Sequence, residues 1–321
     1  MKLHEDEIFS DAISATSQSM DISDTIIEKD YWVTYALKNI VKNKIVDKLV
    51  FKGGTSLSKV YKVIHRFSED VDLAALGLDK KNGSEKKKAI RDIWEKVSSD
   101  LLEIDSPDNT KGSYMRKTRH AYARDTVTGD STFIPKNILL EINAITTKLE
   151  YDLMPIKSII AEFFENNSKN DLIKRYELDS FKINVLSLRR TFTEKILALA
   201  RLSFLVDNNK RLNNKIRHFY DIHMLFNIDE IKSFIISKDF FNTVHIIRED
   251  DGKNIEFNKQ WSNNKISNCP LFVSPDKIWD ELKPTYNSKE FNALIFKDKP
   301  DESEILNTLI LISKLMKEYP E

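Results

Sequence analysis

With 321 residues, 41% of them hydrophobic, the chain is long enough to bury a sizeable core, and its seven glycines and eight prolines exclude collagen-like and Pro-rich disordered classes while favouring helix. Fifty basic residues balance fifty acidic ones, so no net field draws in a polyanion and any nucleic-acid contact has to rest on local patches. The single cysteine, Cys269, excludes an intramolecular disulfide and a Cys-rich zinc site, and the acid-rich start (Glu5, Asp6, Glu7, Asp11, Asp21, Asp24) and lack of a long apolar run exclude a signal peptide and a membrane span, so a soluble, cytoplasmic protein is expected.

In chain order, Ile26, Ile27, Tyr31, Val33, Tyr35 and Leu37 recur at roughly helical spacing and predict an amphipathic helix from Asp24 to about Val41. Residues 48–52, apolar at the centre and ending at Gly53-Gly54, predict a short strand closing in a tight turn. Leu57, Val60, Tyr61 and Ile64 then fall on one face of a short helix, and the alternation of Asp70-Val71-Asp72-Leu73-Ala74 suits a second strand. A helix is expected over 85–103, striped by Ile90, Ile93, Trp94, Val97 and Leu101, and a further strand from Ile138 to Ile145. Between them lies a purely basic segment, Lys111, Arg116, Lys117, Arg119 and Arg124 with Tyr114 and Tyr122 interleaved, a composition that suits a phosphate backbone with stackable bases as well as it suits a solvated loop. Beyond residue 155 the pattern reads as almost entirely helical, with polar connectors at 166–170 and 207–215. The expected fold is α+β, with a catalytic lobe over 1–160 and a mainly helical lobe over 161–321 whose C-terminal helices, 275–317, either bind substrate or, the reading favoured here, complete the core.

The chemistry concentrates in Phe51-Lys52-Gly53-Gly54-Thr55-Ser56-Leu57 and, thirteen residues beyond Ser56, Asp70-Val71-Asp72. A strand running through Gly-Gly into a helix aims unobstructed backbone N–H groups and the helix dipole at one point, a setting for phosphate to which Ser56 can add a hydroxyl. On a strand, Asp70 and Asp72 project to the same face and can jointly hold hard divalent cations. Glu141, a lone charge in the apolar run Leu139-Leu140-Glu141-Ile142, is the candidate third carboxylate. An Asp-x-Asp or a Gly-Gly turn alone carries little; their combination at this spacing is what points to phosphoryl chemistry.

At these residues the sequence resembles the AbiEii/AbiGii toxin family of nucleotidyltransferases. The resemblance rests on Glu28-Lys29-Asp30-Tyr31-Trp32, on Phe51 through Tyr61, and on Arg66-Phe67-Ser68-Glu69-Asp70-Val71-Asp72-Leu73. It implies a polymerase-β-like core, a small mixed sheet flanked by helices, in which Gly53, Gly54, Thr55 and Ser56 bind a nucleoside triphosphate and Asp70 and Asp72 bind magnesium. It further implies a helical lysine, matched by Lys195, and an aspartate after basic residues, matched by Asp221 in Arg217-His218-Phe219-Tyr220-Asp221. Thr191 and Glu194 have capping-box spacing, which would start the helix there and set Lys195 in its first turns. On this reading Lys195 contacts the triphosphate, and Asp221 orients Lys195 or helps deprotonate the acceptor. The activity implied is transfer of a nucleotide to an RNA end, with tRNA the leading acceptor, in a toxin that has a cognate antitoxin. A protein or small-molecule acceptor, or a silent nucleotide-binding module, are the alternative readings.

Overall fold

Leu49–Lys52 (β1) is short because it is apolar on both sides and stops where Gly53 turns the chain, at a φ of 80° that a side chain would strain. In the computed structural model this turn links β1 to the short helix that follows. The structure describes the whole chain except residues 69, 128–133, 145–147, 206, 253–260, 262–263, 298 and 319–321. It divides into two compact units: Met1–Tyr61 with Phe67–Ala144 and Tyr151–Val185, and Lys62–Arg66 with Ile145–Glu150 and Leu186–Glu321.

The first unit is built on a mixed sheet. After helices α1 (Phe9–Met20) and α2 (Asp24–Lys42) come β1, the short helix α3 (Gly53–Ser56) running into a wide turn over Leu57–Tyr61, β2 (Asp70–Ala75) and α4 (Gly83–Val97). Four strands follow, β3 (Leu102–Ile104), β4 (Thr110–Lys111), β5 (Met115–Ala121) and β6 (Asn137–Asn143), then β7 (Tyr151–Ile156), helices α5 (Ile159–Asn166) and α6 (Asn170–Arg175), and β8 (Phe181–Leu186). The eight described strands run in the order β3-β5-β6-β2-β1-β8-β7, with β4 on the side of β5. β2 is antiparallel to β1 and parallel to β6, and β8 returns parallel to β1. One face carries Val71, Leu73, Ile138, Leu140 and Ile142, all fully buried in one core with Trp32, Ala36 and Ile40 of α2 and Ile90 and Ile93 of α4. This is the expected α+β class with a mixed sheet and flanking helices.

Several sequence expectations are corrected. The helix after Gly-Gly ends at Tyr61, where Lys62 takes a left-handed φ of 54°, so Ile64 is buried outside it. The helix expected over 85–103 stops at Val97, and Leu102 opens β3 instead. The basic segment is largely a strand, β5, and residues beyond 155 include β8, whose Phe181, Ile183 and Val185 alternate with polar neighbours. The third strand covers Asn137–Asn143; the expected end at Ile145 lies outside the described residues.

The second unit is helical: α7 (Leu188–Ser203), α8 (Asn208–Asn213) within the expected connector, α9 (Ile216–Phe226), α10 (Asp229–Ile235) and α11 (Lys238–Gly252), followed by helices that include Pro275–Tyr286 and Glu302–Glu318. Trp279, Leu282, Ile305, Leu309 and Ile312 are buried, as expected for core helices. α7 begins three residues before the expected capping box. Ser187, in extended backbone, accepts from the Arg190 N–H, so Ser187 is the N-cap and Lys195 lies in the third turn, clear of the helix N-terminus. No described helix is long and apolar enough to cross a membrane.

Candidate active site

Lys52 stands in extended backbone before Gly53 and gives no side-chain cap, so the first N–H groups of α3 have no capping side chain. Gly53 is required twice over: its φ is 80°, and a Cβ there would stand 2.2 Å from Oδ2 of Asp72. The glycine turn is therefore built directly against the second aspartate.

The two hydroxyls after the glycines hold this turn together. Thr55 Oγ1 donates to the Asp70 carbonyl at 2.6 Å and lies 3.1 Å from Ser68 Oγ, while Ser56 Oγ donates to the Gly53 carbonyl at 2.9 Å. Both residues are buried, Ser56 completely. A hydroxyl carries one proton to donate, so in this arrangement Ser56 braces the turn instead of presenting a donor outward.

The strand register sets the carboxylates. Lys52 of β1 lies opposite Asp72, Asp72 opposite Glu141 of β6, and Glu141 opposite Lys117 of β5. Residues directly opposite one another share a face, so these four form one row across the sheet, and Asp70 stands beside it on the same face. All five are half-buried, whereas Val71, Leu73, Leu140 and Ile142 on the reverse face are fully buried. Asp70, Asp72 and Glu141 thus share an accessible face, with Glu141 on the neighbouring strand as the sequence suggested. Among the described residues, no three His, Cys, Asp or Glu side chains are gathered closely enough to hold a metal ion.

Lys195 and Asp221 belong to the second unit, and there they meet. Asp221 on α9 is fully buried; Lys195 Nζ of α7 donates to its Oδ2 at 2.7 Å. Arg66 completes the cluster, its Nε donating to Oδ1 and its Nη2 to Oδ2, each at 2.7 Å. Burial alone would raise the Asp221 pKa, but the Arg66 and Lys195 charges outweigh it and hold the carboxylate well below its ordinary value of 3.8. A carboxylate so held is a poor proton acceptor, and it lies within hydrogen-bond reach of Lys195. The Arg66 contact lay outside sequence reasoning, because 155 residues separate the partners. His218, three residues before Asp221, has Nδ1 buried without a hydrogen-bond partner among the described residues, and burial with the nearby Lys195 charge pushes its pKa well below 6.5.

The Glu28-Lys29-Asp30 cluster is buried and braces loops. Glu28 Oε1 accepts from the Thr126 N–H and hydroxyl, both at 2.9 Å, and Lys29 donates to the Pro135 carbonyl at 2.6 Å. Asp30 pairs with Lys59, just beyond the glycine turn, at 2.5 Å and accepts from the Ile159 N–H that opens α5 at 2.7 Å. Glu69, also in the resembling stretch, lies outside the described residues.

The basic segment is divided by β5. Arg116 turns to the core face, over the Trp94 ring at 3.9 Å; Lys111 pairs with Glu103 at 2.7 Å; Arg119 pairs with Asp108 at 2.9 Å; and Arg124 donates to the Asp6 carbonyl at 2.8 Å. Tyr122 stacks on Trp32, the ring centroids 5.6 Å apart, and Tyr114 lies under Lys86. Of the five cations, only Lys117 has no ion pair, hydrogen bond or aromatic partner for its side chain among the described residues.

Compared with known proteins, residues 35–297 match the family model described as "Nucleotidyl transferase AbiEii toxin, Type IV TA system", a match that takes in the glycine turn, both aspartates, Glu141, Lys195 and Asp221 and begins after residues 28–32. Among solved structures the chain is similar to MenT4, a nucleotidyltransferase toxin from Mycobacterium tuberculosis H37Rv, at 14% identity and a TM-score of 0.40, over 94% of this chain and 98% of that one. No curated protein matches it.

Proposed function

Since the chain belongs to the AbiEii family and is a nucleotidyltransferase toxin of a type IV toxin–antitoxin system, we propose that it transfers a nucleoside monophosphate from a triphosphate to the end of an RNA, with tRNA the leading acceptor. The observation that carries the site assignment is the row Lys52, Asp72, Glu141, Lys117 on the accessible face of the sheet, with the Gly53 turn packed against Asp72. Backbone N–H groups at Gly53 and Gly54 receive the triphosphate, and Thr55 and Ser56 keep the turn in the shape this needs. Lys195, oriented by its ion pair with Asp221, supplies a positive charge to phosphate oxygens.

Magnesium suits the carboxylates of this face: Asp70 and Asp72 are hard oxygen donors set two residues apart on one strand, with Glu141 at the adjoining position. When bound, it neutralises charge on the triphosphate and raises the reactivity of the attacking hydroxyl. The residues themselves do the positioning on which phosphoryl transfer chiefly depends: Gly53 fixes the Asp72 carboxylate, and Arg66 and Asp221 fix the Lys195 ammonium. The antitoxin that completes the system is its second partner.

The test is incubation with total tRNA, magnesium and each labelled nucleoside triphosphate in turn, beside the Asp70→Ala/Asp72→Ala double variant. Label on RNA, lost in the double variant, supports the reading and names the base. Label on a polypeptide or a small molecule overturns the acceptor and keeps the enzyme class. Undiminished transfer by the double variant overturns the site.

A further inference from the structure

Lys117 and Glu141 stand directly opposite each other on adjacent antiparallel strands, carry opposite charges, and are both half-buried on the face that bears Asp70 and Asp72. Opposed charges at such positions ordinarily close into a cross-strand pair. Here neither side chain makes an ion pair or hydrogen bond among the described residues, although the other four cations of the same segment are all engaged, with a carboxylate, a backbone carbonyl or an aromatic ring.

We propose that Lys117 is a phosphate-binding residue of the catalytic face, held out of the cross-strand pair so that its ammonium meets a substrate phosphate while Glu141 remains with the aspartates. This rests on the proposed placement of catalysis at Asp70 and Asp72. Strands lie about 4.8 Å apart, so the Lys117 backbone is about 10 Å from that of Asp72, and a lysine side chain spans most of that gap. A phosphate bridging that distance is either the triphosphate tail or a backbone phosphate near the end of the acceptor strand. Both present the same chemistry to an ammonium, oxyanion oxygens that a point charge on a flexible stem can reach. The opposite face of β5 is unsuited to this task, since Arg116, Thr118 and His120 are buried there beneath α4, with Trp94 Nε1 donating to Thr118 Oγ1 at 2.7 Å.

The experiment compares wild type, Lys117→Ala, Lys117→Arg and, as a control on a paired cation of the other face, Lys111→Ala. Two bindings are measured without turnover: a non-hydrolysable nucleoside triphosphate with magnesium, and total tRNA across a salt series. Lys117→Ala is expected to weaken one of the two by on the order of tenfold, the loss of a charge-assisted contact. If the ligand is RNA, the slope of log affinity against log salt also falls by about 0.7–0.9. Lys117→Arg recovers most of the loss and Lys111→Ala shows none. The arm that moves identifies the source of the phosphate. Unchanged binding of both ligands by Lys117→Ala, at an unchanged melting temperature, overturns the proposal even where wild type labels tRNA. Wild type that labels no RNA overturns the proposed acceptor, while the triphosphate arm still decides the role of Lys117.

Discussion

Gly53→Ala separates backbone strain from displacement of a carboxylate, because a second glycine supplies the control. Gly53 and Gly77 have nearly the same backbone, with φ of 80° and 70°, so alanine at either position carries the same left-handed penalty of about 1–2 kcal/mol. Their surroundings differ completely. A Cβ on Gly77 meets nothing within 4 Å, whereas one on Gly53 stands 2.2 Å from Asp72 Oδ2 and 3.1 Å from its Cγ. To restore even a tight 3.0 Å contact the carboxylate has to retreat by about 0.8 Å. A misplacement near 1 Å at a reacting centre costs about 100-fold in rate. Both variants are therefore expected to melt a few degrees below wild type, while only Gly53→Ala loses about two orders of magnitude in pyrophosphate release from a nucleoside triphosphate. That readout does not depend on which acceptor is used. Equal activity in the two alanine variants, with equal melting temperatures, would refute the argument that the glycine turn positions Asp72.

Three further expectations follow from the same geometry. Asp221→Asn keeps the shape but leaves Arg66 and Lys195 buried against a neutral amide, a change expected to destabilise by about 3–5 kcal/mol in chemical denaturation; a loss under 1 kcal/mol would show that the charges are satisfied elsewhere. Burial holds the pKa values of His4, His120, His218 and His223 below the ordinary 6.5, His120 at about 4, so the unfolded chain binds more protons and stability should rise with pH between about 4 and 6.5; a flat melting temperature across pH 4.5–7 would contradict this. Ser187→Ala removes the N-cap of α7 and is expected to lower stability by about 1 kcal/mol, whereas Thr191→Ala removes no cap, and the reverse order in thermal melts would restore the later helix start.

The strand, glycine turn and second strand were legible because each obeys a local rule: an apolar run, a residue free to take a positive φ, and a period of two. The sheet beyond them was harder to read for a physical reason. β5 hides a polar face, with Arg116 stacked on Trp94 and Thr118 bonded to both Trp94 and His120, so hydrophobic alternation is absent where burial is complete. β8 did carry a signal, Phe181, Ile183 and Val185 in alternation, but it is six residues long between helices and was absorbed into a helical reading. The start of α7 was misplaced because Ser187 and Thr191 can each open a helix, and only the Arg190 N–H reveals which one does. At the site, the pairing of Lys195 with Asp221 was anticipated in outline, while Arg66 was not, since nothing in the sequence links residues so far apart. The basic segment shows the opposite failure: five cations read as one patch, but strand alternation and local pairing leave a single one uncommitted.

The position of β8 has a consequence for synthesis of the protein. The last strand made lies against β1, one of the first, with Val185 opposite Phe51. Until residue 186 has left the ribosome, the strand that leads into the glycine turn has an open edge, so a chain arrested before that point holds both aspartates but not the finished sheet that fixes them. For a toxin this ordering has a use: a fragment released before residue 186 of the 321 carries the glycine turn and both aspartates on a sheet that still lacks the strand beside β1.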